Sequence, residues 1–111
     1  MEKHPLPENI NKMLYSVINK VSSCVSVYKV YLYGSYYNGT NTKDSDLDIA
    51  FFLNDNESLL DAHRRIIKIT SKYPIDIQPQ IFCKCELEDN IGIVGEILEN
   101  GGEIIIERNT E

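Results

Sequence analysis

Asp46 and Asp48 stand two residues apart at the mouth of an apolar run, and Gly34-Ser35 precedes them with ten residues between. Acids at i and i+2 of a strand point to one face, with Cα atoms roughly 6–7 Å apart. Two carboxylates so placed suit a hard divalent cation, which prefers oxygen ligands. A Gly-Ser turn offers backbone N–H groups and a hydroxyl, which suit a phosphate. Together these residues predict a site for a metal-bound nucleotide.

The flanking pattern supplies the elements that must hold this site. Val27–Tyr33 is β-branched and aromatic and reads as a strand ending at Gly34, and Leu47–Leu53 reads as a second strand after a polar loop. Upstream, Ile10, Met13, Leu14, Val17, Ile18 and Val21 form the stripe of an amphipathic helix over Pro7 to Ser22. Downstream, Asn54-Asp55-Asn56 offers turn chemistry and an N-cap for a helix from about Glu57 to Lys72, burying Leu59, Ala62, His63, Ile66, Ile67 and Thr70. His63 on that stripe reads as structural. Ile75 to Phe82 alternates as a third strand, with Ile75, Ile77 and Ile81 on one face and Asp76, Gln78 and Gln80 on the other. Pro79 demotes the far end of that run to an edge or a bulge. A short helix from Glu88 to Asn100 should use Ile91, Val94, Ile97 and Leu98, with Gly101-Gly102 capping it before a strand from Glu103 to Glu107.

The resulting order, α-β-β-α-β-α-β, predicts an α/β (α+β) fold: a mixed sheet of about four strands flanked by helices. Strand two, helix and strand three read as a crossover unit with parallel strands. If the two are neighbours, Asp76 lies beside Asp46 and Asp48. Carboxylates about 4 Å apart repel by roughly 4 kcal/mol at an effective dielectric of 20, so three converging acids predict Mg²⁺ or Mn²⁺. Two such ions could clamp the attacking and leaving oxygens of a phosphoryl displacement. Asp46 and Asp48 would hold the metals, while Asp76 would complete the second metal site and help deprotonate an incoming hydroxyl. Ser35 would hold terminal phosphates, Lys43 could touch one, and Ser45 would steady the loop.

Two other chemistries fit less well. A phosphatase-type aspartyl nucleophile follows its hydrophobic strand, whereas these acids precede the run Ile49-Ala50-Phe51-Phe52. No Gly-Lys-Ser/Thr ending follows Gly34-Ser35, so this is not a Walker loop. Tyr28, Tyr31, Tyr33, Tyr36 and Tyr37 read chiefly as packing residues, with Tyr36 or Tyr37 available to stack on a base. Cys24, Cys83 and Cys85 are odd in number and lack a Cys-x-x-Cys spacing, which reads as reduced thiols.

With 111 residues, one domain spanning 1–111 is the expectation. A net charge of −6 argues against long duplex nucleic acid as a direct ligand, although metal ions would still allow a polyphosphate. No apolar run approaches a membrane span and Met1 to Pro7 is not a signal peptide, so a cytoplasmic address is expected.

The stretch GSYYNGTNTKDSDLDIAFF resembles the Gly-Ser-x10-Asp-x-Asp signature of the minimal nucleotidyltransferases of the polymerase-beta-like superfamily. Gly39 and the run Asp44-Ser45-Asp46 match that pattern, Asp76 within Pro74-Ile75-Asp76-Ile77 matches the third carboxylate, and ILENGGEIII is similar to the closing helix, glycine turn and strand. Tyr36 and Asn38 stand where such proteins often carry arginine. The resemblance implies a nucleotidyltransferase fold and Mg²⁺-dependent transfer of a nucleoside monophosphate from ATP or another NTP to a hydroxyl. It assigns phosphate binding to Gly34 and Ser35, and metal binding and catalysis to Asp46, Asp48 and Asp76. It further implies pairing with a HEPN-domain toxin, with AMP placed on a toxin tyrosine so that the chain acts as antitoxin. Two other roles stay open: an acidic antitoxin that only masks its partner, and an antibiotic-type transferase that needs a homodimer or second subunit for its acceptor site.

Overall fold

The computed structural model describes residues 6–88 and 91–106. Four strands form one mixed sheet in the order β3-β2-β1-β4. The strands are β1 (Val27–Tyr33), β2 (Leu47–Leu53), β3 (Ile77–Cys83) and β4 (Gly102–Ile104), and the helices are α1 (Glu8–Cys24), α2 (Ser35–Asn38), α3 (Leu59–Thr70) and α4 (Gly92–Asn100). A 3₁₀ turn (Lys84–Glu88) links β3 towards α4. β1 runs antiparallel to both β2 and β4, while β2 and β3 are parallel, as the α3 crossover requires.

β2 is the core strand. Leu47, Ile49, Phe51 and Leu53 enter a cluster with Leu14, Val17, Ile18 and Val21 of α1 and Ala62 and Ile66 of α3. Ala50 and Phe52 project into a second cluster, on the other face, with Phe82, Val94 and Ile97. Phe52 stacks on Phe82 at 5.1 Å and meets the edge of Tyr31 at 5.7 Å. Helices thus cover both faces, which is why β2 reads as a continuous apolar run. Asp48 lies on the α4 face by alternation.

The bounds of β1 and β2 agree with the sequence reading. Other elements differ in instructive ways. The buried stripe of α3 is Ala62, Ile66 and Thr70, with Ile69 partly buried. It is rotated by about one position from the expected stripe, which leaves Leu59, His63 and Ile67 exposed. His63 is therefore not a packing residue. The N-cap is Ser58, whose hydroxyl accepts from the Asp61 N–H at 3.4 Å, rather than the Asn54-Asp55-Asn56 turn.

Helix α4 starts at Gly92, after Ile91 in an extended N-cap conformation, so Ile91 is exposed at 73% instead of joining Val94 and Ile97. β4 ends at Ile104, and Glu107 of the expected strand lies outside the described residues. Gly101 does cap α4, donating to the Ile97 carbonyl at 2.8 Å, but in an extended conformation.

Pro79 lies within β3, which is an edge strand. The Leu47 N–H bonds the Asp76 carbonyl at 2.8 Å, and this sets the parity of the parallel ladder. Even-numbered N–H groups of β3 then face β2, and odd-numbered ones face outward. Pro79 therefore lacks an N–H only where the sheet has no partner, and it blunts the open edge. Cys24, Cys83 and Cys85 are free thiols. Among the described residues, no helix is long and apolar enough to cross a membrane.

Candidate active site

The two signature segments meet where β1 ends and β2 begins. Tyr33, the last residue of β1, pairs with Asp48. The next residue, Gly34, adopts φ +80° and ψ −158°, a region open in practice only to glycine. It also needs to be small, because a Cβ there would collide with Asp48 Oδ2 and lie 3.1 Å from Asp48 Cγ. Gly34 is thus the seat of the Asp48 carboxylate. The chain then turns into α2, a single helical turn that the sequence reading took as loop. Its first N–H groups lack intrahelical acceptors.

Within α2, Tyr36 is buried in the core, as a packing residue should be. Tyr37 packs against β4, where a Cβ on Gly102 would lie 2.5 Å from Tyr37 Cε1. The loop that follows is tied by its own side chains. Ser45 Oγ accepts from the Thr42 N–H at 2.8 Å, Thr42 Oγ1 accepts from the Asp44 N–H at 3.2 Å, and the Ser45 N–H donates to the Thr42 carbonyl at 3.1 Å. Ser45 steadies the approach to Asp46, while Lys43 and Asp44 are exposed at the turn.

Asp46 and Asp48 are both half-buried. Burial and then the Asp46 charge raise the Asp48 carboxyl above its ordinary value. Burial and then the Asp48 charge push the Tyr33 phenol up to about 12. The ion pairs among the described residues are Lys12–Glu8 and Lys29–Glu103, so neither acid has a Lys or Arg partner. Two neighbouring oxygen donors without a protein cation are the donor set a hard divalent ion prefers, and these residues fit one.

In a ¹³C titration the Asp48 carboxyl should therefore ionise above the ordinary aspartate value. Asp46→Asn should bring it part of the way down, because burial, the larger cause, remains. No movement in that variant would mean that the two carboxylates do not sense each other.

The third acid is brought near by its backbone. Leu47 pairs with Ile77 and Asp48 with Gln78, so Asp76 flanks Asp46 one step before the pairing starts. Its side chain is exposed. Among the described residues, no three His, Cys, Asp or Glu side chains gather closely enough to hold a metal. Three carboxylates thus share one sheet end and, by register, one face, but the closed cluster expected from the sequence is not formed. A groove of about 550 Å³ runs along α4 past Gly92, Gly95, Glu96 and Glu99, and none of these acids lines it. Sequence reasoning left Tyr33 as a packing residue; its pairing with Asp48 needs the β1–β2 register, which local pattern does not give.

A glycine turn ending one strand and an acid pair opening its antiparallel neighbour form a site whose groups suit a phosphate and a hard divalent cation. The chain belongs to the nucleotidyltransferase domain family, whose sequence model matches residues 14–101. Its general chemistry is nucleotidyl transfer from an NTP. The fold is similar to that of a Sulfolobus solfataricus protein provisionally assigned as a nucleotidyltransferase, solved at 1.40 Å. The TM-score is 0.56 and the identity 18%, with 70% of each chain covered. No curated protein matches the chain.

Proposed function

We propose that this chain is a Mg²⁺-dependent adenylyltransferase that moves AMP from ATP to a tyrosine of a HEPN-domain toxin, acting as its antitoxin. The observation that carries the chemistry is Asp48 seated on Gly34 beside Asp46, with no Lys or Arg partner among the described residues. The likeness of GSYYNGTNTKDSDLDIAFF to standalone minimal nucleotidyltransferases supports the protein acceptor and the pairing.

Asp46 and Asp48 are the residues that would hold Mg²⁺, two ions being expected, with Asp76 joining them from the neighbouring strand. When bound, Mg²⁺ neutralises these acids and the triphosphate and makes the α-phosphorus more electrophilic. The protein's own groups do the rest. The Gly34-Ser35 turn, through its N–H groups and the Ser35 hydroxyl, holds the terminal phosphates. Lys43, exposed in the following loop, would add a charge to them. Ser45 fixes the loop that aims Asp46. The acceptor oxygen forms a bond to the α-phosphorus as the bond to the β-phosphate oxygen breaks, and pyrophosphate leaves. Asp76 takes the acceptor proton, which requires its exposed side chain to turn towards the pair.

The test incubates the chain with α-³²P-ATP, Mg²⁺ and a cognate HEPN-domain toxin. Label on a toxin tyrosine, together with loss of ribonuclease activity, is expected. Neutralisation without label would mean an antitoxin that acts by masking. Label found only on a small hydroxyl compound would mean an antibiotic-type enzyme.

A further inference from the structure

The two sides of the acid pair are built differently, and the difference bears on how an acceptor reaches it. On the β1 side, Tyr33 pairs with Asp48, α2 follows Gly34, and Tyr37 packs over Gly102 of β4. That flank is walled by protein. On the other side lies β3, the edge of the sheet, where Asp76, Gln78 and Gln80 are exposed. The register places Gln78 directly beside Asp48 and Gln80 beside Ala50. Residues paired in a ladder share a face, so Asp46, Asp76, Asp48 and Gln78 form a two-by-two grid on the face that carries the acids. Three corners are acidic and the fourth is a neutral amide.

We propose that the hydroxyl acceptor enters over the β3 edge and that Gln78 is the residue that binds it. This rests on the nucleotidyl transfer proposed above, with the triphosphate on the Gly34-Ser35 side. With the nucleotide on the walled flank, the open flank is left for the second substrate. A carboxamide offers both an N–H donor and a carbonyl acceptor, so it can hold a hydroxyl-bearing group whichever way its hydrogen bonds run. It also adds no charge to a face already crowded with carboxylates. Among the described residues, no hydrogen bond occupies the Gln78 side chain, which leaves it available for a ligand. A carboxamide suits a neutral hydroxyl-bearing acceptor, such as a phenol. Gln80 has the same chemistry one step further from the acids and serves as the internal control.

The experiment is ¹⁵N NMR of the intact chain with Mg²⁺ and α,β-methylene-ATP, which cannot donate AMP, followed by N-acetyl-tyrosinamide as the acceptor probe. The Ser35 amide should move with the nucleotide, and the Gln78 side-chain amide should move further when the probe is added, saturating with it. Gln78→Ala should weaken the probe about tenfold, the worth of one hydrogen bond, without altering nucleotide affinity, and Gln80→Ala should leave both unchanged. A Ser35 response with Gln78 silent, or probe affinity unchanged in Gln78→Ala, would overturn the acceptor assignment alone. A Ser35 amide that ignores the nucleotide would overturn the transferase reading, and this inference with it.

Discussion

Asp48→Asn is expected to abolish transfer while leaving the protein at least as stable as the wild type. In the proposed reaction the carboxylate would hold the metal that binds the reacting phosphate, and an amide of the same shape lacks the charge. The loss should exceed about a thousandfold in kcat, roughly 4 kcal/mol of transition-state stabilisation. Stability should move the other way. The Asp48 carboxyl is raised by burial and by Asp46, so its folded pKa lies above the unfolded value. The native state then holds the proton more tightly, and stability falls as pH rises through the window between the two values. Above that window the charged form is a net cost, which the amide removes. The stability gain of Asp48→Asn should therefore appear at neutral pH and vanish in acid below the unfolded value. Pyrophosphate release and thermal melts at two pH values check both halves. A variant that loses activity because it melts earlier at neutral pH would show Asp48 to be structural.

Gly34→Ala should fail for two separable reasons. Any side chain at φ +80° and ψ −158° is strained, at a cost of about 1–3 kcal/mol. The new methyl would also occupy the space of the Asp48 carboxylate. The first effect should lower Tm by roughly 5–15 °C. The second should cut transfer by more than the loss of folded protein explains, because Asp48 must leave its seat. Combining Gly34→Ala with Asp48→Ala separates them: the double variant should regain part of the lost Tm and no activity. If Gly34→Ala melts like the wild type, the tight seat for Asp48 is wrong.

The parts of this architecture legible in the sequence are those fixed by burial on both sides. β2 is apolar at every position after Asp48 because helices cover both faces, and its bounds follow from that run. Pro79 announced an edge strand, and the crossover unit announced the parallel pairing of β2 and β3. The α3 stripe came out rotated because Leu59, His63 and Ile67 fit a helical period as well as Ala62, Ile66 and Ile69 do. Only contact with α1 and the sheet decides between the two faces. Ile91 misled for a related reason: periodicity runs on through an extended N-cap.

At the site, residue spacing located the acids and the glycine turn. It could not supply the Tyr33–Asp48 pairing, the collision that makes Gly34 obligatory, or the direction of the Asp76 side chain, which no local pattern encodes. The grid completed by Gln78 is likewise a product of register. Shifting β3 by one residue would bring Ile77 or Pro79 to that corner.

The measurement that bears most directly on the central claim is transfer of label from α-³²P-ATP in the presence of Mg²⁺ and a hydroxyl acceptor, for the wild type and Asp48→Asn. Label on the acceptor that disappears in the variant, with equal folded protein in both, is the predicted result. Equal label from both proteins, or none from the wild type with any of the four NTPs, would contradict it.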